Sequence, residues 1–326
     1  MNLILSLKKK DIRQVKEFET QQPLRVCFNF HGAKIIIYTN SSYMADHLNL
    51  AYNYFERDSV GDPQFSLLAL ESGKPGHEEI CKSLFPRREV KDHILISRDL
   101  NLIIFLRDCP LLAFYTVKFL FGEVIRPLHK QFLGIHAAAL SKNGRGLLLC
   151  GAARCGKTVL TSLLLQKGFG YCSDDVTLVS RDTMQVVPFP RALNIREEYE
   201  KLAAPMLQKA RRVGHFKIAD QKRVLVDLTD SVVGEATPKV IFFPGFDKNS
   251  KSKSVLQPVS PCNAMVTLMH QRFHPLIESL YNYDVQDFEF CGQLLENLVC
   301  YNLVYSDPVD AAKVIDHIIM EKSDNE

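Results

Sequence analysis

The alternation of hydrophobic and polar residues predicts an early, strand-rich part of the chain. Short apolar runs between turn residues indicate strands, and an apolar stripe that follows Ser41 and Ser42 indicates a helix capped by one of these serines. The polar, proline-bearing stretch 75–90 favours a loop. The predicted strands cover residues 25–30, 35–39, 65–70, 94–97 and 102–106, and the helical stripe consists of Met44, Leu48, Ala51 and Phe55.

A strongly apolar segment separates this part from the rest of the chain. Residues 111–126 are typical of a buried helix that Pro127 should end. The segment is too short and too closely flanked by charge to cross a membrane. We therefore place a domain boundary near residue 130, with an α+β accessory domain over 1–130 and a second domain over 131–326.

The second domain has a denser pattern of turns and helices. Residues 135–141 and 146–150 indicate two strands, and Asn143-Gly144 between them is a strong hairpin signal. The strand 146–150 therefore has an antiparallel neighbour. Further strands are predicted at 169–172, 176–179, 185–187, 239–244 and 303–305, and helices at 158–167, 263–272, 285–301 and from Pro308 onward.

The strand that ends at Cys150 runs into a glycine-containing loop and then a helix. The loop, GAARCGKT, matches the pattern G-x-x-x-x-G-K-[ST]. Its glycines allow backbone N–H groups to face an anion, and the helix N-terminus adds partial positive charge. The pattern predicts a nucleotide site in which lysine reaches the phosphates and threonine ligates Mg²⁺. The residues are Gly151, Ala152, Ala153, Arg154, Cys155, Gly156, Lys157 and Thr158.

An acidic pair, Asp174-Asp175, follows one helix and one turn after Lys157. That spacing would return both carboxylates to the phosphate end of the loop. Arg191 and Arg196 are candidates for phosphate or an acidic acceptor, because guanidinium forks suit phosphate oxygens. The alternative is that both arginines are solvated. Asp227, after three apolar residues, is a second candidate for the Mg²⁺ site.

Composition sets limits on the function. Hydrophobic content of 46% and charged content of 24% are typical of a globular protein, and a net charge of +3 is too small to favour general nucleic-acid binding. Nine cysteines without a C-x-x-C pair favour a reducing, cytoplasmic setting. The N-terminus does not have the pattern of a signal peptide.

The basic stretch 209–223 is either a docking strip for an acidic peptide or a solvated segment.

Several of these features together resemble one family. An early histidine, the hairpin, the loop, a helix ending in Lys-Gly and the Asp-Asp pair resemble the catalytic domain of HPr kinase/phosphorylase, which is similar to the nucleotide core of PEP carboxykinase. The divergent HPr-kinase-like serine kinases that modify proteins or precursor peptides are most similar. The resemblance implies an α/β (α+β) P-loop core with a mixed sheet. It is specific over 135–180, looser to about 270 and slight before that; the matching residues are His136, Gly151–Thr158, Lys167-Gly168 and Asp174-Asp175.

The resemblance also implies an activity. Such kinases transfer the γ-phosphate of Mg-ATP to a serine hydroxyl. It implies that Asp174 is the general base and Asp175 a Mg²⁺ ligand with Thr158, or the reverse, with His136 and Lys157 beside the phosphates. Arg191 would then assist transfer.

One segment departs from the family pattern. Residues 188–196, PFPRALNIR, replace the glycine-rich signature of phosphorylase chemistry, so neither HPr as substrate nor the reverse reaction is implied. A kinase for a small hydroxyl metabolite and a non-catalytic ATP-sensing module are the alternatives. The expected partners are ATP and a serine-bearing protein or peptide, without nucleic acid or membrane, and a homo-oligomer is left open.

Overall fold

The computed structural model describes residues 4–8, 11–218, 220–272 and 284–321. Contacts divide the chain into two compact units: residues 1–124 with 214–222, and residues 125–213 with 223–326. Both units combine helices with sheets, and the sheets include mixed ones, so the chain is a mixed α and β protein. The boundary that composition places near residue 130 stays a prediction. Within the described residues, no helix is long and apolar enough to cross a membrane.

The first unit is built on a seven-stranded sheet in the order β1-β7-β6-β5-β3-β2-β4. Its strand pairs are antiparallel except β3 with β5, which is parallel. The predicted strands and the helix after Ser41 are confirmed, and Ser41 accepts a hydrogen bond from the Met44 backbone N–H. The elements are β1 (Ile4–Ser6), α1 (Ile12–Gln21), β2 (Leu24–Phe30), β3 (Ala33–Thr39), α2 (Ser42–Tyr52), β4 (Glu56–Arg57), β5 (Phe65–Leu70), α3 (His77–Leu84), β6 (His93–Ser97), β7 (Leu102–Leu106) and α4 (Cys109–Leu128).

Two predictions in this part are wrong. The stretch 75–90 is not a loop throughout, because it contains helix α3. Pro75 and Gly76 disrupt only the start of the segment; Ile80 and Cys81 are buried on one face of the helix that follows. Helix α4 continues to Leu128 rather than ending before Pro127.

The second unit is organised around a six-stranded mixed sheet in the order β11-β9-β10-β17-β19-β18. Two smaller sheets have the orders β13-β12-β8 and β14-β16-β15, and residues 214–222 of the second of these belong to the first unit. The elements are β8 (Phe132–Ile135), β9 (Ala137–Lys142), β10 (Arg145–Cys150), α5 (Lys157–Gln166), β11 (Gly170–Ser173), β12 (Thr177–Ser180), β13 (Val186–Val187), β14 (Leu193–Arg196), α6 (Glu200–Leu207), β15 (Arg212–Ile218), β16 (Gln221–Asp227), β17 (Thr237–Phe246), β18 (Ser254–Pro258), α7 (Pro261–His270), α8 (Asp284–Glu296), β19 (Val299–Tyr305) and α9 (Pro308–Glu321).

Strand β10 lies inside the large sheet and is buried on both faces. Leu147 and Leu149 pack with residues of helices α5 and α9, whereas Leu148 and Cys150 pack with residues of α7 and α8. A strand covered on both faces has a continuous apolar sequence, which explains the run GLLLC. The predicted hairpin is confirmed: β10 pairs with β9 in antiparallel register, and Asn143 and Gly144 both have positive φ. On its other side β10 pairs with β17 in parallel.

Two further expectations need correction. The helix predicted over 285–301 ends at Glu296, and the chain then enters strand β19, whose alternating buried residues match a sheet rather than a helix. The basic stretch 209–223 is solvated, as one of the two alternatives expects, but it is not irregular: it consists largely of the paired strands β15 and β16, and its basic side chains apart from Arg223 are exposed. The cap by Asp307 is confirmed, since its carboxylate accepts the backbone N–H groups of Val309 and Asp310.

Candidate functional site

The predicted loop, Gly151–Thr158, connects the central strand β10 to helix α5 and opens on a cavity of about 290 Å³. Gly156 precedes the helix with φ of 98°, a left-handed conformation that favours glycine. A Cβ atom at Gly156 would lie 1.8 Å from the hydroxyl oxygen of Tyr305. That hydroxyl donates a 3.0 Å hydrogen bond to the carbonyl oxygen of Cys155, so the end of β19 buttresses the loop.

Lys157 is the first residue of α5, and its side chain is buried against the loop. Its ammonium group donates hydrogen bonds to the carbonyl oxygens of Gly151 at 2.6 Å and Ala152 at 3.2 Å. These contacts satisfy the charge within the loop backbone and keep the ammonium at the mouth of the cavity. The lysine therefore lies where the sequence pattern places it.

The acidic pair returns to the loop, as its spacing predicts. Thr158 donates a 3.0 Å hydrogen bond from its hydroxyl to Oδ2 of Asp174, which is only 3% exposed. Oδ1 of Asp174 is buried and makes no hydrogen bond within the part of the chain that the structure describes. Burial and then repulsion by Asp175 raise the pKa of the Asp174 carboxyl to about 7, against smaller opposing effects that include the Thr158 hydrogen bond.

Asp175 has a different environment from its neighbour. Its backbone has φ of 69°, which turns the chain sharply after β11, and its side chain lines the cavity. Arg191 lies with Nη1 3.3 Å from Oδ2 of Asp175. Arg191 is held there from two directions: Tyr171 donates a 2.6 Å hydrogen bond to its carbonyl oxygen, and Phe189 bridges to the end of β11.

His136 lies between β8 and β9 and also lines the cavity. Its backbone N–H donates to the carbonyl oxygen of Gln271 at 2.6 Å, and Nδ1 lies 3.2 Å from Oε1 of the same glutamine. Burial and then the nearby Lys157 charge lower the pKa of the imidazole, which favours its neutral form. The histidine is therefore a neutral hydrogen-bonding group at the edge of the site.

The remaining walls of the cavity come from residues that sequence reasoning mostly missed. Asn194, Tyr199 and Arg223 line one wall, and Phe246, Tyr305 and Pro308 line another. Arg196, noted above as a candidate, lies on the first wall together with Arg223. These residues come from separate strands and helices without a shared motif, so only the pairing of strands brings them together.

The sequence-predicted residues thus fall into two groups. The first group lines the cavity. The second group lies directly behind the lining: Asp174 contacts the lining residue Thr158, and Arg191 contacts the lining residue Asp175. Asp227 is used elsewhere: its Oδ1 accepts the backbone N–H and the hydroxyl of Thr229 and so stabilises a turn. The predicted residues in the lining are His136, Ala153, Arg154, Gly156, Lys157, Thr158, Asp175 and Arg196.

The lining is strongly cationic. Arg154, Lys157, Arg196 and Arg223 face the cavity with Asp175 as the carboxylate among the lining residues. This excess of positive over negative side chains favours an anionic ligand with several charges. Within the described ranges there is no ready-made group of three or more His, Cys, Asp or Glu side chains for a metal ion. Mg²⁺ commonly binds through one or two protein oxygens together with phosphate oxygens, and Thr158 with the acidic pair provides that donor type.

Comparison with known proteins gives likenesses to solved structures but none to a family model or a curated sequence. No protein-family model matches the chain, and no curated protein matches its sequence. Among solved structures, it is similar to the HPr(Ser) kinase/phosphatase from Coxiella burnetii with 12% identity and a TM-score of 0.27, over 59% of this chain and 94% of that one. A likeness with so low a TM-score and identity establishes neither a shared fold nor a shared activity.

Proposed function

We propose that the protein is an ATP-dependent kinase that transfers the γ-phosphate of Mg-ATP to a serine hydroxyl of a protein or peptide. The observation that supports this best is the contact between Thr158 and Asp174. It joins the hydroxyl of the nucleotide loop to a buried carboxylate whose pKa is raised to about 7. A carboxyl group with a pKa near the working pH is suited to accept a proton.

The residues present fit both ATP and Mg²⁺. Space beside Gly156 is so restricted that a side chain there would overlap Tyr305, which leaves backbone N–H groups to face a phosphate chain. The Asp175 carboxylate and the Thr158 hydroxyl, which both line the cavity, are hard oxygen donors suited to Mg²⁺. When bound, Mg²⁺ would neutralise charge that develops on the phosphate oxygens.

In this proposal the protein performs three tasks. Lys157, released from the loop carbonyls, pairs with the phosphates of ATP. Asp174 accepts the proton of the acceptor hydroxyl as its oxygen bonds to the γ-phosphorus, while the bond from that phosphorus to the β,γ-bridging oxygen breaks and ADP leaves. Arg191, beside Asp175, stabilises charge on the transferred group; positioning and charge stabilisation supply most of the acceleration in phosphoryl transfer.

The two aspartates can be distinguished by their exposure. Asp175 lines the cavity, whereas Asp174 lies behind Thr158. The reverse assignment, with Asp175 as the base and Asp174 as the Mg²⁺ ligand, therefore needs a direct test. With Asp174 as base, Asp174→Asn should reduce kcat by about 10²- to 10⁴-fold with little change in Mg-ATP affinity. Asp175→Asn should instead weaken the Mg²⁺ dependence of ATP binding. The opposite pair of results would exchange the two roles.

The primary experiment is phosphotransfer from γ-labelled ATP with Mg²⁺ to a panel of serine peptides and a panel of small hydroxyl compounds. Mass spectrometry would locate the added phosphate. Label on a peptide serine that disappears in Asp174→Asn supports the proposal. Label on metabolites alone would make the protein a small-molecule kinase, and tight ATP binding with no transfer to either panel would contradict the kinase and favour the sensing module.

A further inference from the structure

One wall of the cavity carries two arginines that face each other across a pair of strands. Arg196, at the end of β14, is the direct register partner of Arg223 in the antiparallel strand β16. Both side chains line the cavity. Like charges directly opposite one another destabilise an antiparallel pair. The fold therefore holds an electrostatically unfavourable arrangement at this wall.

The electrostatic cost of placing Arg196 opposite Arg223 is increased by burial and by other cations. Burial and then repulsion from Arg196 lower the pKa of Arg223, and Arg154 and Arg191 lower it further, against a favourable effect of Asp175. An anion at this wall would be attracted by all of these groups at once. Relief of repulsion would add to the hydrogen bonds that the anion accepts.

The contact of Arg196 with Glu198 is a weak competitor for an anion, and the contact of Arg223 with Asn194 is with a neutral group. Nη1 of Arg223 lies 3.5 Å from the amide oxygen of Asn194, which is neutral. Nη1 of Arg196 lies 3.4 Å from Oε1 of Glu198, in a largely exposed pair. Exposed ion pairs contribute little, typically below about 1 kcal/mol. An anion that binds both guanidinium groups can displace the Glu198 contact.

This wall lies near the nucleotide loop, whose Arg154 repels Arg223, and is also linked to the acidic pair. Strand β14 begins two residues after Arg191, and Arg191 contacts Asp175. The arginine wall is therefore connected along the chain to the acidic pair, where the acceptor hydroxyl reacts in the proposed function. Lys157 and the loop backbone lie on the opposite side of the acidic pair in sequence and provide the donor site.

We propose that Arg196 and Arg223 bind an anionic group of the acceptor, so that the preferred acceptor carries a carboxylate or a phosphate close to the reacting hydroxyl. This inference rests on the proposed function, since it assigns the substrate class of the same site. Guanidinium forks bind both kinds of anion in a bidentate manner. Asn194, which also lines the cavity and contacts Arg223, can add a hydrogen bond from its amide.

The first test compares matched acceptors. Serine peptides would differ at one neighbouring position, with aspartate against asparagine and phosphoserine against serine, and at the C-terminus, with carboxylate against amide. The anionic member of at least one pair should have the lower KM. Arg196→Gln and Arg223→Gln should raise that KM by about 10- to 100-fold, with kcat and the neutral peptides changed far less. The pairs also distinguish a carboxylate from a phosphate.

The matched control is Lys201→Gln, which removes the same charge from an exposed position on α6. It should leave every KM within about twofold, since a single exposed charge contributes little. Equal KM values for anionic and neutral acceptors in the unmodified protein would overturn the proposal, as would the same loss in Lys201→Gln.

A second test does not depend on turnover. Calorimetry would titrate inorganic phosphate into protein saturated with Mg²⁺ and a non-hydrolysable ATP analogue. We expect phosphate binding that weakens at least tenfold in either arginine variant, with affinity for the analogue unchanged. Absence of phosphate binding to the unmodified protein overturns the proposal, and so does phosphate binding that persists in both arginine variants. A loss of analogue binding in these variants also overturns it, because that result would assign the arginines to ATP. If the analogue fails to bind while phosphate still binds at the arginines, the proposed kinase fails but the anion site stands.

Discussion

Two buried aspartates in the second unit have almost the same exposure and opposite chemistry. Asp174 is 3% exposed and Asp287 is 2% exposed. The pKa of Asp174 is raised to about 7, whereas that of Asp287 is lowered to about 2. Burial raises the pKa of both carboxyls and is the largest effect on each, so the difference comes from their partners.

Asp287 is compensated by two neighbouring arginines and a histidine. Arg272 lies 2.6 Å from Oδ2, Arg181 contacts Oδ1, and His129 lies 3.3 Å from the same oxygen. Hydrogen bonds from these groups overcome the effect of burial. Asp174, in contrast, accepts one hydrogen bond from the described residues, from Thr158, and shares its surroundings with a second carboxylate. A buried charge with full compensation stabilises a fold, and one with incomplete compensation is available for chemistry.

The largest predicted effect tests the compensated side of this comparison. Asp287→Asn leaves Arg181 and Arg272 buried without their carboxylate, and should reduce the free energy of unfolding by roughly 3–5 kcal/mol at pH 7. Because the folded pKa is lowered, this contribution is complete above the ordinary aspartate range and is lost as pH falls from about 4 through about 2. Chemical denaturation at several pH values measures both effects.

Asp220→Asn is the matched control for that experiment. Asp220 is fully exposed and lies 3.7 Å from Lys217 in a surface pair. Its substitution should change stability by less than about 1 kcal/mol. A loss in Asp287→Asn that is no larger than in this control would mean that the cluster is not compensated as its geometry indicates.

The same comparison shows what sequence can and cannot predict. The turn at Asn143-Gly144, the loop from Gly151 to Thr158 and the cap at Asp307 were predictable, because each depends on residues that are close together in the chain. The sequence of helix α3 has residues at helical spacing, but the neighbouring Pro75 obscured this pattern. Its residues Ile80 and Cys81 lie at helical spacing from His77, and all three are buried.

The Asp287 cluster and the arginine wall had no such local signal. His129, Arg181, Arg272 and Asp287 are far apart in sequence, and ordinary composition surrounds each of them. Arg196 and Arg223 become partners only through the register of β14 with β16. A side chain's charge can be read from the sequence, but the partners that set its pKa depend on strand pairing, which the sequence alone did not provide.

A second prediction concerns the uncompensated side. Asp174→Asn should increase the free energy of unfolding of the nucleotide-free, Mg²⁺-free protein, since it removes a buried charge and keeps an acceptor for Thr158. The pKa is raised in the folded state, so the native protein binds more protons than the unfolded chain between pH 4 and 7, and the ionised carboxylate is destabilising above that range. The gain should be on the order of 2–4 kcal/mol at pH 8 and vanish below about pH 4.

The measurement is the difference in unfolding free energy between the two proteins as a function of pH, in the presence of a chelator. A gain that is constant with pH would show that the substitution acts through packing and not through the charge. A loss at pH 8 would contradict the interpretation of Asp174 as an uncompensated group. This variant is also expected to lose turnover, so stability and activity should change in opposite directions at this position.

The smallest predicted effect isolates the single hydrogen bond that Asp174 accepts. Thr158→Val removes the donor at nearly constant volume, and its loss should raise the pKa of Asp174 by about one further unit, since hydrogen bonds to charged groups contribute roughly 1.5–3 kcal/mol. Thr158→Ser keeps the hydroxyl and should leave the pKa close to its original value. Carboxyl-carbon NMR on protein labelled at aspartate, without Mg²⁺, would follow the titration directly. If valine and serine give the same pKa, burial and Asp175 alone set the chemistry of Asp174, and the contact with the nucleotide loop cannot be what tunes this carboxylate for proton transfer.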